Sequence, residues 1–298
     1  MQLFHSDAFT FPLPEGHTFP LQKYALLRQR IVVTGLAADH TLHESRAATD
    51  AEIERAHTPA YWHGFRTGQL PEAEMRQIGL PWSSQLVERT RRSSAGTIDA
   101  CRAALRDGCA INLAGGTHHA YADHGAGYCV VNDSAVAVRA MQAAGLCRRI
   151  LIIDCDVHQG DGTAVIFAAD ESVTTFSIHA ARNYPFHKQR SNLDIELADG
   201  ADDSTYLSAL EAGLRRIIPA ARPDLAIYLA GADPYCGDRL GRVSLSKGGL
   251  LSRDSLVLER LRSAGIPVAI TLAGGYGRRI EDTVDIHVQT VRLACGVS

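Results

Sequence analysis

From residue 109 onward, short apolar runs alternate with stretches of helical periodicity. C-A-I-N-L-A (109–114), R-I-L-I-I-D-C (149–155), V-T-T-F-S-I-H (173–179), D-L-A-I-Y-L-A (224–230) and I-P-V-A-I-T-L-A (266–273) read as strands buried on both faces. Between them, residues 134–145, 203–221 and 252–265 have the three-to-four-residue period of helices. Gly265 ends the last of these with Pro267 just beyond it, and Asp203 or Ser204 is placed to cap the 203–221 helix. Strand alternating with helix predicts an α/β fold with a mainly parallel central sheet flanked by helices on both faces. Residues 20–107 read as mostly helical, with loops around His40–Ala48 and Trp62–Ser83 forming pieces of a rim. One domain covering residues 1–298 is the expectation.

Composition narrows the classes. With 46% hydrophobic and 21% charged residues the chain is globular, not disordered. A net charge of −3 leaves no basic surplus for direct nucleic-acid binding. No apolar run reaches the ~18 residues of a membrane span, and the N-terminus lacks the basic and apolar parts of a signal peptide, so a cytoplasmic location is expected. Seven cysteines, an odd number with no C-x-x-C pair, argue against a disulfide framework or a zinc knuckle. The anomaly is 13 histidines, several of them near aspartates.

In a parallel α/β sheet, ligands bind beyond the carboxyl ends of the strands. Four of the apolar runs end there in glycine-rich polar segments: G-G-T-H-H (115–119), D-C-D-V-H-Q-G-D-G (154–162), G-A-D-P-Y-C-G-D (231–238) and G-G-Y-G (274–277). If the strand continues past 154, then 154, 156 and 158 project to one side, and Asp156 and His158 both reach one metal ion. Such donors suit zinc, and also iron, cobalt or manganese. Six such fixed positions recur by chance in roughly 3 in 10⁵ chains of this composition, which outweighs the bland reading of a helix-capping aspartate in a glycine turn. The pair His118-His119 is weak alone, because a lone histidine is more often a hydrogen-bonded core or surface residue. A carboxylate behind each ring would change that, and Asp154 and Asp161 are the candidates. Asp233 is either a turn residue before Pro234 or a third ligand, and Tyr276 either a buried phenol or a catalytic one. Two carboxylates and one histidine with an open position make a catalytic, not a structural, zinc site.

These segments together with G-Y-C-V-V-N-D (127–133), F-S-I-H (176–179), A-G-A-D (230–233) and A-G-G-Y-G (273–277) resemble the histone deacetylase family, zinc-dependent amidohydrolases of arginase-like fold. The resemblance runs from about His5 to Arg279. P-E-G-H-T-F-P (14–20), H-Q-G-D-G and D-R-L-G-R-V-S-L-S (238–246) look most like the class IV branch and its bacterial relatives. The resemblance implies zinc ligands Asp156, His158 and Asp233, His118 paired with Asp161, His119 paired with Asp154, and Tyr276 as oxyanion donor. It further implies a structural potassium ion near Asp154, Asp156, His158 and Ser177, a second monovalent site near Phe167, Asp170 and Val173, and a substrate tunnel lined by Gly127, Tyr128, Tyr184 and Leu240. Tyr128 stands where a Phe is common, and two glycines, not three, precede Tyr276.

Residue chemistry and resemblance converge on metal-assisted amide hydrolysis, with zinc or ferrous iron as the metal. Two anionic ligands leave the metal less able to acidify water, so a nearby base is useful; His119 is assigned as general base and later acid, and His118 as electrostatic partner. The expected substrate is an ε-N-acyl-lysine protein or peptide, long-chain acyl groups included. The alternative is acetylpolyamine or another small N-acyl amine, which would need acidic residues at the entrance, for which Glu44, Glu72 and Glu74 in the loops at 40–48 and 62–85 are candidates. An arginase-type two-manganese enzyme would need a carboxylate two residues after Asp233, where Tyr235 stands, and a decayed acyl-lysine reader would not retain every ligand.

Overall fold

A computed structural model describes residues 1–37 and 41–296. Eight strands are formed among the described residues: β1 (Gln2–His5), β2 (Leu42–Glu44), β3 (Cys109–Asn112), β4 (Ile150–Asp154), β5 (Val173–Ala180), β6 (Leu193–Leu197), β7 (Leu225–Leu229) and β8 (Val268–Thr271). They build one sheet in the order β2-β1-β3-β8-β7-β4-β5-β6, and each adjacent pair is parallel. The helices are α1 (Gln22–Val33), α2 (Asp50–Ile53), α3 (Pro59–Thr67), α4 (Glu72–Ile78), α5 (Ser84–Asp107) and α6 (Asp133–Ala143). They continue with α7 (Asp161–Ile166), α8 (Asp203–Ala221), α9 (Lys247–Ser263) and α10 (Ile280–Ala294).

The continuous apolar runs are explained by two cores, one on each face. Along β4, Leu151 and Ile153 join α1, α8, α9 and α10 through Leu27, Leu214, Leu261 and Val291, whereas Ile150 and Ile152 join α5 and α6 through Ile98 and Met141. The period-2 alternation of a strand therefore serves two apolar layers instead of one.

Five strands and three helices fall where periodicity puts them; the differences have local causes. β1 and β2 are three or four residues long, and β6 lies at the sheet edge with half-buried side chains, so none forms a continuous apolar run. Residues 42–44 and much of the 62–85 segment are not loop: β2, the end of α3 and α4 occupy them. α9 starts at Lys247, earlier than the periodicity shows, because Gly248 and Gly249 mask its first turn, where Ser246 accepts from Gly249 N at 2.9 Å. The cap of α8 is Asp202, one residue before the expected pair, accepting from Thr205 N at 2.9 Å. His40 lies outside the described residues.

Candidate active site

β3, β8, β7 and β4 are consecutive neighbours in the sheet, so the four glycine-rich segments that follow them meet at one edge. They enclose a cavity of about 690 Å³ lined by His118, His119, Asp156, His158, Asp233 and Tyr276, with Gly127, Tyr128, Tyr184 and Leu240 in its wall. Every residue expected in the tunnel is there.

The segment after β4 does not continue as a strand. β4 stops at Asp154, whose Oδ1 accepts from Asp156 N at 3.1 Å, and Asp156 Oδ1 accepts from His158 N at 3.0 Å. These turns, not strand alternation, aim Asp156 and His158 together. Asp233 reaches them from the end of β7, its Oδ1 accepting from Val157 N at 3.0 Å. His158 Nδ1 lies 2.9 Å from Asp156 Oδ1 and 3.4 Å from Asp233 Oδ2. Four-coordinate ligands about 2.0 Å from a metal are roughly 3.3 Å apart, so these donors fit a small divalent cation. Asp233 Oδ2 is buried without any hydrogen-bond partner, and burial together with the Asp156 carboxylate pushes Asp233 up to about 7. A buried orphan oxygen beside a second carboxylate fits a site built around a positive charge. Gly231 and Gly274 wall this triad, and a Cβ on Gly274 would lie 2.0 Å from Asp233 Oδ2.

The histidine pairing differs from the expectation. His118 Nδ1 bonds Asp154 Oδ2 at 2.7 Å, and His119 Nδ1 bonds Asp161 Oδ1 at 2.6 Å. The correction follows from the elements: Asp154 ends β4 under the Asp156–His158 turn, whereas Asp161 opens α7 further on, next to the second ring. With each Nδ1 held by a carboxylate, Nε2 is left for the cavity that both rings line. The two rings are electrostatically unlike. Against the cost of burial, Asp154 and Asp156 hold His118 up to about 9, while burial and the neighbouring His118 hold His119 down to about 4.

Tyr276 follows β8 and is 9% exposed. Burial, reinforced by Asp233 and Asp156, raises its phenol well above the ordinary value, so it stays a proton donor. Its backbone is clamped by Asp238, which accepts from Tyr276 N at 2.6 Å, and by Arg239, whose Nε donates to Tyr276 O at 3.0 Å. Tyr128, at φ 66° in the left-handed region, donates or accepts with Thr18 Oγ1 at 2.5 Å, so its hydroxyl is engaged at the wall.

Several supporting residues were not anticipated. Lys23 sits on the buried stripe of α1 with Leu27 and Ile31, lines the cavity, and donates to Ala273 O at 3.0 Å. A lysine at i, i+4, i+8 spacing with two core residues was the available signal. Asp133, opening α6, holds the loop carrying the two histidines by accepting from Gly116 N at 3.1 Å and Thr117 N at 2.7 Å. Buried Arg253 on α9 donates to Gly231 O and Cys155 O, joining the backbones of both carboxylate loops; nothing in its sequence context marks it.

Asp154 and Ser177 are register partners across β4 and β5, beside the Asp156–His158 turn, and Ser177 Oγ lies 2.9 Å from His179 Nδ1. At the second suggested monovalent site, Phe167 is buried, Val173 opens β5, and the Asp170 carboxylate is engaged by Arg139 and Ser172. Glu44, Glu72 and Glu74 do not line the cavity, and Glu72 pairs with Arg76 at 2.7 Å.

Residues 17–291 match the histone deacetylase domain family. An uncharacterized protein of Picosynechococcus sp. is 44% identical over 292 residues, covering 98% of this chain and 97% of that one. Histone deacetylase 2 of Arabidopsis thaliana is 28% identical over 283 residues, covering 90% of this chain and 73% of that one. The crystal structure of an HDAC homolog from Aquifex aeolicus superimposes with a TM-score of 0.87 at 24% identity, covering all of this chain and 84% of that one. The chain belongs to the histone deacetylase family and is a hydrolase acting on amides.

Proposed function

We propose that residues 1–298 act as one catalytic domain that removes acyl groups from ε-N-acyl-lysine, with Asp156, His158 and Asp233 holding a single divalent cation, zinc or ferrous iron. The observation that carries the proposal is the joining of three metal-type donors, two carboxylate-backed histidines and a buried tyrosine at the floor of one cavity. The bound cation supplies Lewis-acid polarisation of the amide carbonyl and acidification of a water molecule.

His119 is neutral near pH 7 and offers its Nε2 lone pair to the cavity, so it takes the proton of the attacking water and returns it to the leaving amine. His118, held by Asp154 at 2.7 Å, is the electrostatic partner that stabilises the developing negative charge. The Tyr276 hydroxyl donates to the carbonyl oxygen as it becomes an oxyanion. The wall rings exclude water from the lysine stem; Tyr184 stands edge-on to His119 with ring centres 4.8 Å apart.

The wording of residues 14–20 and 238–246 supports the class IV branch, and with it long-chain acyl groups. The adjacency of Asp154 and Ser177 supports a structural potassium ion, and the absence of a long apolar helix among the described residues accords with a cytoplasmic setting. No acidic residue among those described lines the cavity above the triad, which weighs against acylpolyamines. The test is turnover of one peptide carrying ε-acetyl-lysine or ε-myristoyl-lysine by the zinc-loaded protein. Preference for the myristoyl form supports the class IV reading, preference for acetyl returns the chain to general deacetylation, and no turnover of either refutes lysine deacylation.

A further inference from the structure

The mouth of the cavity is positively charged on a chain whose net charge is −3. Among the described residues, the carboxylates that line the cavity are Asp156 and Asp233 at its floor, whereas Arg182, Arg239 and Arg242 line it as well. Two chain segments supply these guanidinium groups. The stretch 181–190 after β5 contains Arg182, His187, Lys188 and Arg190 and no acidic residue. The stretch 239–242 follows Asp238, which is buried and fully engaged by backbone N–H groups of Leu240, Gly241 and Tyr276.

Asn183 clamps the two segments together: its Nδ2 donates to Leu240 O at 2.6 Å and its Oδ1 accepts from Arg242 N at 2.9 Å. Arg182 and Arg242 are therefore held on adjoining backbones. Arg182 has no hydrogen-bond or ion-pair partner among the described residues. Arg239 donates to the carbonyls of Tyr276 and Thr18 and meets no carboxylate. Arg242 pairs with Asp199 at 3.1 Å, but both side chains are solvated, at 53% and 35% exposure, so that pair yields readily to a competitor.

Scattered surface arginines need no explanation; three at one opening, two of them without a carboxylate, do. Guanidinium groups present a fork of N–H donors that matches a carboxylate, and a cleft with low-dielectric walls concentrates their field. We propose that this mouth selects acyl-lysines flanked by acidic residues, the substrate's Asp or Glu side chains meeting Arg182, Arg239 and Arg242. The inference rests on the deacylase reading above and adds to it a substrate class: acidic acyl-lysine peptides in preference to lysine-rich tails or polyamines.

Three otherwise identical ε-acyl-lysine peptides, with Asp, Ala or Lys on both sides of the modified residue, test it. The expected kcat/KM ratio of the Asp to the Lys peptide is on the order of tenfold at low ionic strength and shrinks toward one at about 0.5 M salt. The difference is expected in KM, not kcat, since these groups do not touch the reacting atoms. R182A/R242A should reduce the ratio several-fold, and R182K/R242K, which keeps the charge, should retain most of it. Equal turnover of the Asp and Lys peptides, or a preference that survives R182A/R242A, overturns the inference while leaving deacylation intact. Failure to cleave any of the three, the Ala peptide included, overturns the deacylase reading and this inference with it.

Discussion

Replacing Gly274 by Ala should weaken metal binding by Asp156, His158 and Asp233 without unfolding the protein. Gly274 φ lies outside the left-handed region, so an alanine backbone is tolerated there. Its Cβ, however, would stand 2.0 Å from Asp233 Oδ2 and 2.5 Å from Asp156 Oδ2. A carbon and a carboxylate oxygen need at least about 3.2 Å, so both carboxylates, or the loop, must retreat by roughly 1 Å. Metal ligands tolerate only about 0.2 Å, and a displacement near 1 Å costs on the order of 10²-fold in rate. G274A should therefore lose about 10–100-fold in zinc affinity and at least about 10²-fold in kcat/KM. The assay is metal content after dialysis against buffered zinc, read beside turnover and a thermal melt of the metal-free protein. G248A is the control, since its Cβ would make only an ordinary 3.5 Å contact with Ser246 Oγ. Wild-type zinc content and turnover in G274A would refute the placement of the metal between these two carboxylates.

Tyr276→Phe should lower kcat by roughly 10²–10³ with little change in KM, and a change confined to KM would show that the phenol only binds substrate. The observed histidine pairing predicts different pH profiles for two asparagine variants. Asp154→Asn removes the carboxylate that holds His118 up, so the alkaline limb of kcat/KM should move to lower pH, whereas Asp161→Asn acts on the His119 limb; an exchange of the two effects would restore the opposite pairing. Buried His57, lowered to about 4 by burial, accepts from Asn132 N at 2.9 Å and is neutral in the fold. Because the unfolded ring takes up its proton near 6.5, stability falls as pH drops from 6.5 through 4, by about 3 kcal/mol at pH 4. His57→Gln should flatten that part of the stability-against-pH curve, and an unchanged slope in urea melts would refute the assignment.

Parallel α/β architecture was legible because strands buried on both faces are dominated by apolar residues, as β4, β7 and β8 are up to their last position. The short or edge strands β1, β2 and β6 were not, because three or four residues, or half-buried edge side chains, make no continuous apolar run. Asp156 and His158 stood out as candidate ligands from their place after an apolar run, whereas for Asp233, the histidine pair and Tyr276 position alone left a structural alternative open and the family resemblance supplied the expectation.

Which carboxylate backs which ring lay beyond the sequence. Asp154 and Asp161 are both near the two histidines in any reasonable folding, and only the path of the chain from β4 into α7 sends the first to His118 and the second to His119. The same holds for the roles that come from burial. Lys23 under Ala273, Arg253 joining Cys155 to Gly231, and the opposite proton affinities of two adjacent histidines arise from what surrounds each group. Residue types and their spacing along one segment determine what chemistry this chain can perform. Desolvation and contacts between distant segments are set by the tertiary structure, and these decide which group holds the proton and which faces the substrate.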